Sequence, residues 1–189
     1  MLGSLAGTRV LDLYAGSGAV GLEALSRGAD HVLLVEQGAR ATRVIRENIE
    51  AIGLPGAVLA ADRVERVLAR GPAAAAGRDG PAPAAAAGRD GPASAGGQDS
   101  SAGGRYDVVF ADPPYALADS AVSQVLSLLA GQGWLAPGAL VIVERATRSG
   151  PVSWPEGFAA DRARRYGEAT FWYGLGPQTP GSEREQAAR

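Results

Sequence analysis

The residues best suited to chemistry are Asp112-Pro113-Pro114-Tyr115, directly after the apolar run Tyr106–Ala111. Each proline lacks an N–H and pushes the residue before it into an extended conformation. The chain therefore leaves the run extended, with carbonyls free to aim into a cleft. Those acceptors and the Asp112 carboxylate can grip both hydrogens of an exocyclic amine. An aromatic amine is a poor nucleophile because its lone pair is delocalised. Holding its hydrogens orients the lone pair and stabilises the positive charge that develops as the nitrogen attacks. Tyr115 can stack on a base plane, an interaction worth roughly 1–3 kcal/mol. Asp112, Pro113, Pro114 and Tyr115 are the candidate catalytic residues.

A second constellation is Asp12–Gly21, DLYAGSGAVG. The spacing Gly16-x-Gly18-x-x-Gly21 sits between an apolar run and a helical pattern, as in nucleotide-cofactor turns. The glycines permit a tight turn, close approach to a ligand and close helix–strand packing. The helix start behind them suits an anionic group. Glu36 lies 20 residues beyond Gly16, where an acid accepts hydrogen bonds from ribose hydroxyls. Asp62 ends another apolar run and can accept from an adenine amino group, or cap the helix that follows. The glycines alone also permit a nicotinamide dehydrogenase. Asp12 argues against it, because a carboxylate beside the turn repels pyrophosphate and suits a cationic cofactor. S-adenosylmethionine carries an ammonium and a sulfonium, plus a carboxylate for the helix terminus. The candidate cofactor-binding residues are Asp12, Ala15, Gly16, Ser17, Gly18, Gly21, Glu36, Gln37, Asp62 and Arg63.

The elements that must position these groups alternate. Thr8–Leu13, His31–Glu36, Ala57–Ala61, Tyr106–Ala111 and Leu140–Glu144 read as buried parallel strands. Ala19–Arg27, Ala39–Ile52, Val64–Ala69 and Ala118–Leu129 read as helices between them. Arg162–Tyr166 and Ala169–Tyr173, split by Gly167, read as an antiparallel hairpin. The alternation predicts an α/β layer fold with a mostly parallel sheet. Every candidate acid, and the Asp112–Tyr115 motif, falls at the carboxyl end of a strand, where such sheets bind ligands.

Residues 71–104 interrupt the pattern. Pro72–Ala82 (PAAAAGRDGPA) recurs letter for letter as Pro83–Ala93, and Ser and Gly follow. With almost no large apolar residue, the segment cannot offset its ordering entropy. It is expected to be a disordered insertion within one domain spanning 1–174, spanning roughly 30 Å root-mean-square. Residues 175–189 are expected to be a disordered tail.

Composition narrows the chemistry. At 189 residues one domain is expected, and a net charge of −2 gives no global pull toward nucleic acid or membranes. No long apolar span and no signal-peptide pattern are present, so a cytoplasmic protein without membrane contact is expected. There is no cysteine, hence no thiol nucleophile and no thiolate metal site, and no metal is expected. The single histidine, His31, reads as an ordinary residue before a strand. All 18 basic residues are arginine, which excludes Schiff-base and P-loop lysine mechanisms.

The segments DLYAGSGAVGLEALSRGA, VLLVE, YDVVFADPPY and RRYGEATFWY together resemble the RsmD family over most of residues 9–174. Those are bacterial enzymes that methylate N2 of a guanine in 16S ribosomal RNA with S-adenosylmethionine. The Asp-Pro-Pro-Tyr motif is shared with other amino-methyltransferases; the late Tyr-Gly segment points to RsmD. The resemblance implies a Rossmann-like class I methyltransferase fold, seven strands in order 3-2-1-4-5-7-6 ending in the antiparallel hairpin. It implies cofactor contacts by Asp12, Gly16, Gly18, Glu36 and Asp62, and an amine-gripping role for Asp112–Tyr115. The partner it implies is 16S ribosomal RNA or the assembling small subunit, met by a monomer. Arg145, Arg148, Arg162, Arg164 and Arg165 are the candidate phosphate contacts. Family members carry a basic segment ahead of the first strand; only eight residues precede Arg9 here. A misassigned start or a shortened chain is the expectation from that. The alternatives are an amino-methyltransferase on DNA adenine or a protein amide, and a cofactor-binding remnant without catalysis.

Overall fold

The computed structural model describes residues 4–75 and 104–178. Five strands run in parallel: β1 (Arg9–Leu13), β2 (His31–Val35), β3 (Ala57–Ala60), β4 (Tyr106–Ala111) and β5 (Leu135–Ala146). β6 (Ala159–Tyr166) and β7 (Ala169–Leu175) form a hairpin that pairs antiparallel to β5 through β7. The order is β3-β2-β1-β4-β5-β7-β6 in a seven-stranded sheet, as the resemblance implied.

Helices sit on both faces because the strands are apolar on both. α1 (Ala19–Ser26) and α2 (Ala39–Ile52) cover one side, over Val10, Val32, Leu34 and Leu59. α3 (Val64–Ala69) and α5 (Asp119–Gly131) cover the other, over Leu11, Leu33, Val109 and Val141. Val32 through Val35 are 0% exposed, so β2 is core on both faces. Each such side chain contributes roughly 1.5–3 kcal/mol of burial. α4 (Pro72–Ala75) is a single turn at the edge of the described residues.

The floor of the core is aromatic. Tyr106 stacks on Trp134, whose Nε1–H donates to the Leu68 carbonyl at 2.9 Å. The His31 ring sits against Tyr106, and burial pushes its pKa down to about 4, so it is neutral and structural.

Several boundaries differ from the sequence reading. β5 starts at Leu135 and runs through Pro137-Gly138, which reads as a turn in the sequence. The proline is tolerated because the β4–β5 register shifts there, between Tyr106 and Val108. The Gly138 N–H is satisfied by the Pro177 carbonyl, and the Gly176 N–H by Ala139. Residues 175–178 are therefore tied to β5 rather than a tail. The remaining tail, residues 179–189, and most of the 71–104 insertion lie outside the described residues. β6 begins three residues earlier than the hairpin reading, at Ala159 rather than Arg162. Among the described residues no helix is long and apolar enough to cross a membrane, and none of the side-chain clusters is suited to a metal ion.

Candidate functional site

The glycine turn folds as the spacing requires. Gly16 and Gly18 have φ of 57° and 79°, the left-handed region that a side chain resists. Gly21 has another task. A Cβ there would lie 2.5 Å from Leu34 Cδ2 and 2.7 Å from Val32 Cγ1, both on buried β2. Only a glycine lets α1 sit this close to the sheet. Tyr14 also has positive φ, 61°, and is not glycine, which marks it as a held, costly conformation.

Glu36 is the strut of the turn. Its Oε2 accepts from the Gly16 N–H at 3.0 Å and its Oε1 from the Gly38 N–H at 2.7 Å. It locks the ends of β1 and β2 together, and each oxygen keeps a lone pair for a hydroxyl. The Ala15 N–H donates to the Val35 carbonyl, and the Ser17 carbonyl accepts from Asn48 Nδ2.

Asp12 is not an open counter-ion, as its position suggested. It is 2% exposed, and its Oδ2 accepts from the Gly21 N–H at 2.9 Å. It therefore clamps α1 beneath the turn. Burial pushes its pKa from 3.8 up to about 7, opposed by the Gly21 bond and aided by the charges of Asp112 and Glu36. The unfolded chain releases this proton near 3.8 and the folded chain near 7. Between those values the folded state holds more protons, so stability falls as pH rises. The size is on the order of a few kcal/mol. Asp12→Asn keeps an acceptor for Gly21 and cannot ionise. Its melting temperature is expected to fall less than the wild type's across that window in scanning calorimetry. Identical slopes would show that Asp12 ionises normally.

A cavity of about 380 Å³ opens at the carboxyl end of the sheet. It brings together Glu36, Gln37, Arg63 and the whole Asp112–Tyr115 motif. The motif is braced from below. The Leu117 N–H returns to the Pro114 carbonyl, and Arg145 Nη2 donates to the Leu117 carbonyl and to Asp119 Oδ1, both at 2.8 Å. Tyr115 is 51% exposed, with its ring free. Gly16 and Ser17 front a separate shallow depression beyond Glu36, and the other glycines lie beneath it.

Asp62 is not in the cavity wall. Its Oδ2 takes Arg70 Nη2 at 2.7 Å, Arg66 lies 3.8 Å from its Oδ1, and that oxygen accepts the Arg63 N–H. These partners hold its pKa below the ordinary value. It does not cap α3, whose N-cap is Arg63.

Two groups here escaped the sequence reading. Tyr14 lines the cavity and its hydroxyl, buried, has no hydrogen-bond partner among the described residues. Burial pushes its pKa up to about 12, so it stays a donor. Glu144 stands beside Asp112, one step past the Ala111–Val143 pair. Burial raises both pKa values, and the charge of Asp112 raises that of Glu144 further. The signal for Glu144 was its place at a strand end, the same one that marked Glu36. The signal for Tyr14 was an aromatic inside a glycine turn.

The five arginines separate. Arg145 is buried, its side chain 4% exposed and engaged with Leu117 and Asp119, so it braces the motif and cannot meet phosphate. Arg148 lies in the 3₁₀ turn Thr147–Ser149. Arg162, Arg164 and Arg165 lie on exposed β6; Arg162 pairs with Asp161, and Arg165 Nε donates to the Gly167 carbonyl.

This arrangement recurs in known proteins. The chain is 26% identical over 161 residues to ribosomal RNA small subunit methyltransferase D of Escherichia coli K12, covering 85% of this chain and 65% of that protein. It thus spans about two thirds of the length of that relative. Its fold matches the structure of the putative methyltransferase yhhF from Escherichia coli, with TM-score 0.70 and 23% identity over 93% of this chain and 79% of that one. It also matches magnesium protoporphyrin IX methyltransferase from Synechocystis PCC 6803, a structure with bound S-adenosylmethionine, with TM-score 0.58 and 13% identity over 91% and 71% of the chains. The fold is that of the class I methyltransferases. The family described as Conserved hypothetical protein 95 matches residues 1–76 and 85–174, a span that takes in every element of the sheet and both halves of the site. The chain belongs to that family, whose characterised members are the RsmD-like methyltransferases.

Proposed function

We propose that this chain transfers a methyl group from S-adenosylmethionine to the exocyclic N2 amine of a guanine in 16S ribosomal RNA. The observation that carries the reading is the placement of Asp112–Tyr115 and Glu36 on one cavity. The residues fit the cofactor. A Cβ built on Gly16 meets nothing within 4 Å, so the turn is open to a ligand, and the cavity has the size of a nucleoside site. The free lone pairs of Glu36 suit ribose hydroxyls, with Gln37, Arg63 and the unpartnered Tyr14 hydroxyl on the same wall. Asp12 and Gly21 hold the turn in place, and Ala15, Ser17 and Gly18 shape it. Asp62 reaches an adenine amino group only by sharing its carboxylate with Arg70.

When bound, the cofactor supplies an electrophilic methyl group on sulfur. The protein's work is positioning and electrostatics. The Asp112 carboxylate and the carbonyl before Pro114 accept the two amine hydrogens and aim the nitrogen lone pair. Glu144, beside Asp112, adds negative potential where the nitrogen becomes positive. Tyr115 stacks on the guanine, which must leave its own stack to reach the motif. Arg145 keeps the motif extended. The insertion 71–104 takes no part in this scheme; the domain is 1–174, a cytoplasmic monomer meeting naked RNA or the assembling subunit.

Calorimetric titration separates the cofactor choices: S-adenosylmethionine is expected to bind and NAD not. A substrate panel of small-subunit RNA, adenine-containing DNA and a glutamine-bearing protein then tests the acceptor. Transfer to DNA or protein alone would replace the reading, and binding without transfer would reduce the chain to a cofactor-binding protein.

A further inference from the structure

The two faces of the sheet are covered unequally. On one, helices and the Trp154–Phe158 loop lie over β4, β5 and β7. On the other, α1 and α2 stop over β1, β2 and β3. Beyond α1 an apolar groove of about 410 Å³ opens along β4 and β5, lined by Val108, Phe110 and Ile142. Among the described residues no helix covers this side of β5, β7 or β6.

Strand alternation places aromatic and arginine side chains there. Phe110 and Phe171 have ring centroids 6.3 Å apart, and Tyr166 meets Phe171 edge-on at 5.6 Å. The Arg162 guanidinium lies over the Tyr173 ring at 4.4 Å. The registers make rows. Ile142, Tyr173 and Arg162 lie side by side, as do Glu144, Phe171 and Arg164. The second row begins at Asp112, beside Glu144, and ends at the exposed edge strand β6. The rows thus lead from the amine-gripping motif out to an arginine edge. Tyr166, 58% exposed, stands at its corner.

An uncovered face of this kind needs an occupant with flat apolar surfaces and negative charge. Bases stack on Phe and Tyr rings, and arginine forks match phosphates. A second copy of the chain would bring the same arginine edge, like charge toward like. From β4 to β6 the face is about 14 Å wide, room for two or three bases, as on other nucleic-acid-binding sheets.

Resting on the reading above, we infer that the uncovered face of β4-β5-β7-β6 is a stacking platform for single-stranded RNA flanking the target base, with Arg162 and Arg164 on its phosphates. The sheet carries two or three nucleotides to the edge of the Asp112 motif, where the next base turns in.

The test is fluorescence anisotropy of the full chain with labelled single-stranded RNA, oligouridine and mixed sequence, at several salt concentrations. Arg164→Ala with Tyr166→Ala, both exposed, is expected to weaken binding roughly 10–100-fold and to lower the salt slope by about one. Melting temperature and S-adenosylmethionine affinity stay unchanged. Tyr166→Phe is expected to bind as wild type, because the ring is retained. Unaltered RNA affinity in the double variant overturns the inference, as does the absence of RNA binding by the wild type. A dimer seen by sedimentation and abolished by the double variant overturns it too, by assigning the face to a second copy. RNA binding that depends on these residues, without any methyl transfer, upholds the platform and defeats the proposed reaction. Transfer that needs Asp112 but ignores the double variant does the reverse.

Discussion

Asp112→Ala is expected to lower methyl transfer about 10²–10³-fold while leaving S-adenosylmethionine affinity within a few-fold of wild type. Removing one group that stabilises developing charge costs that much in other enzymes. The site concentrates the loss here. The prolines fix the backbone on either side, so no neighbouring acceptor can swing into the vacancy. The fold is not the casualty. Asp112 makes one backbone bond, its N–H to the Leu13 carbonyl at 3.4 Å, and alanine keeps it. The substitution also removes a negative charge that raises the pKa of both Asp12 and Glu144. The variant should therefore melt no lower than the wild type at neutral pH, and somewhat higher if that repulsion matters. An active site less stable than its dead variant is the usual trade between stability and function. Retained transfer in Asp112→Ala would remove the motif from the chemistry.

Gly21→Ala is expected to be the most damaging small substitution in the turn. Alanine is the better helix former by about 1 kcal/mol, so propensity alone predicts a gain. Packing reverses the sign. The new Cβ would overlap Leu34 Cδ2 and Val32 Cγ1, and would lie 3.2 Å from Asp12 Oδ2. Leu34 and Val32 are 0% exposed on a central strand and have nowhere to go. Overpacking of this kind costs about 1–3 kcal/mol. α1 must therefore lift, which lengthens the Gly21–Asp12 bond and displaces the turn. The expected result is a lower denaturant midpoint together with at least tenfold weaker S-adenosylmethionine binding. A variant as stable as wild type with full affinity would show that α1 does not depend on this approach.

The parts of the fold that sequence reveals are those governed by local rules. β1, β2 and β4 are short and apolar on both faces, so their positions follow from the sequence to within a residue. The Gly16 and Gly18 positions follow from the turn they must make. β6 shows why other parts are hidden: both its faces are exposed, so no alternation marks its start. Pro137-Gly138 looks like a turn because the register shift that admits it lies in β4, far away in sequence. Asp12 and Arg145 were misread for one reason. A charge at a strand end is visible in the sequence, but its burial depends on which distant group reaches it. For Asp12 that group is the Gly21 N–H, and for Arg145 it is the Leu117 carbonyl and Asp119. The carboxyl-end rule located Glu36 and Asp112 correctly on the cavity, and applied once more it would have marked Glu144.

The central claim is that Asp112–Tyr115 presents a guanine amine to a methyl donor held by Gly16 and Glu36. The most direct measurement is mass spectrometry of nucleosides from small-subunit ribosomal RNA incubated with the full chain and isotopically labelled S-adenosylmethionine. The account predicts label in N2-methylguanosine with wild type and little with Asp112→Ala. Label on another nucleoside, or equal label with both proteins, would contradict it.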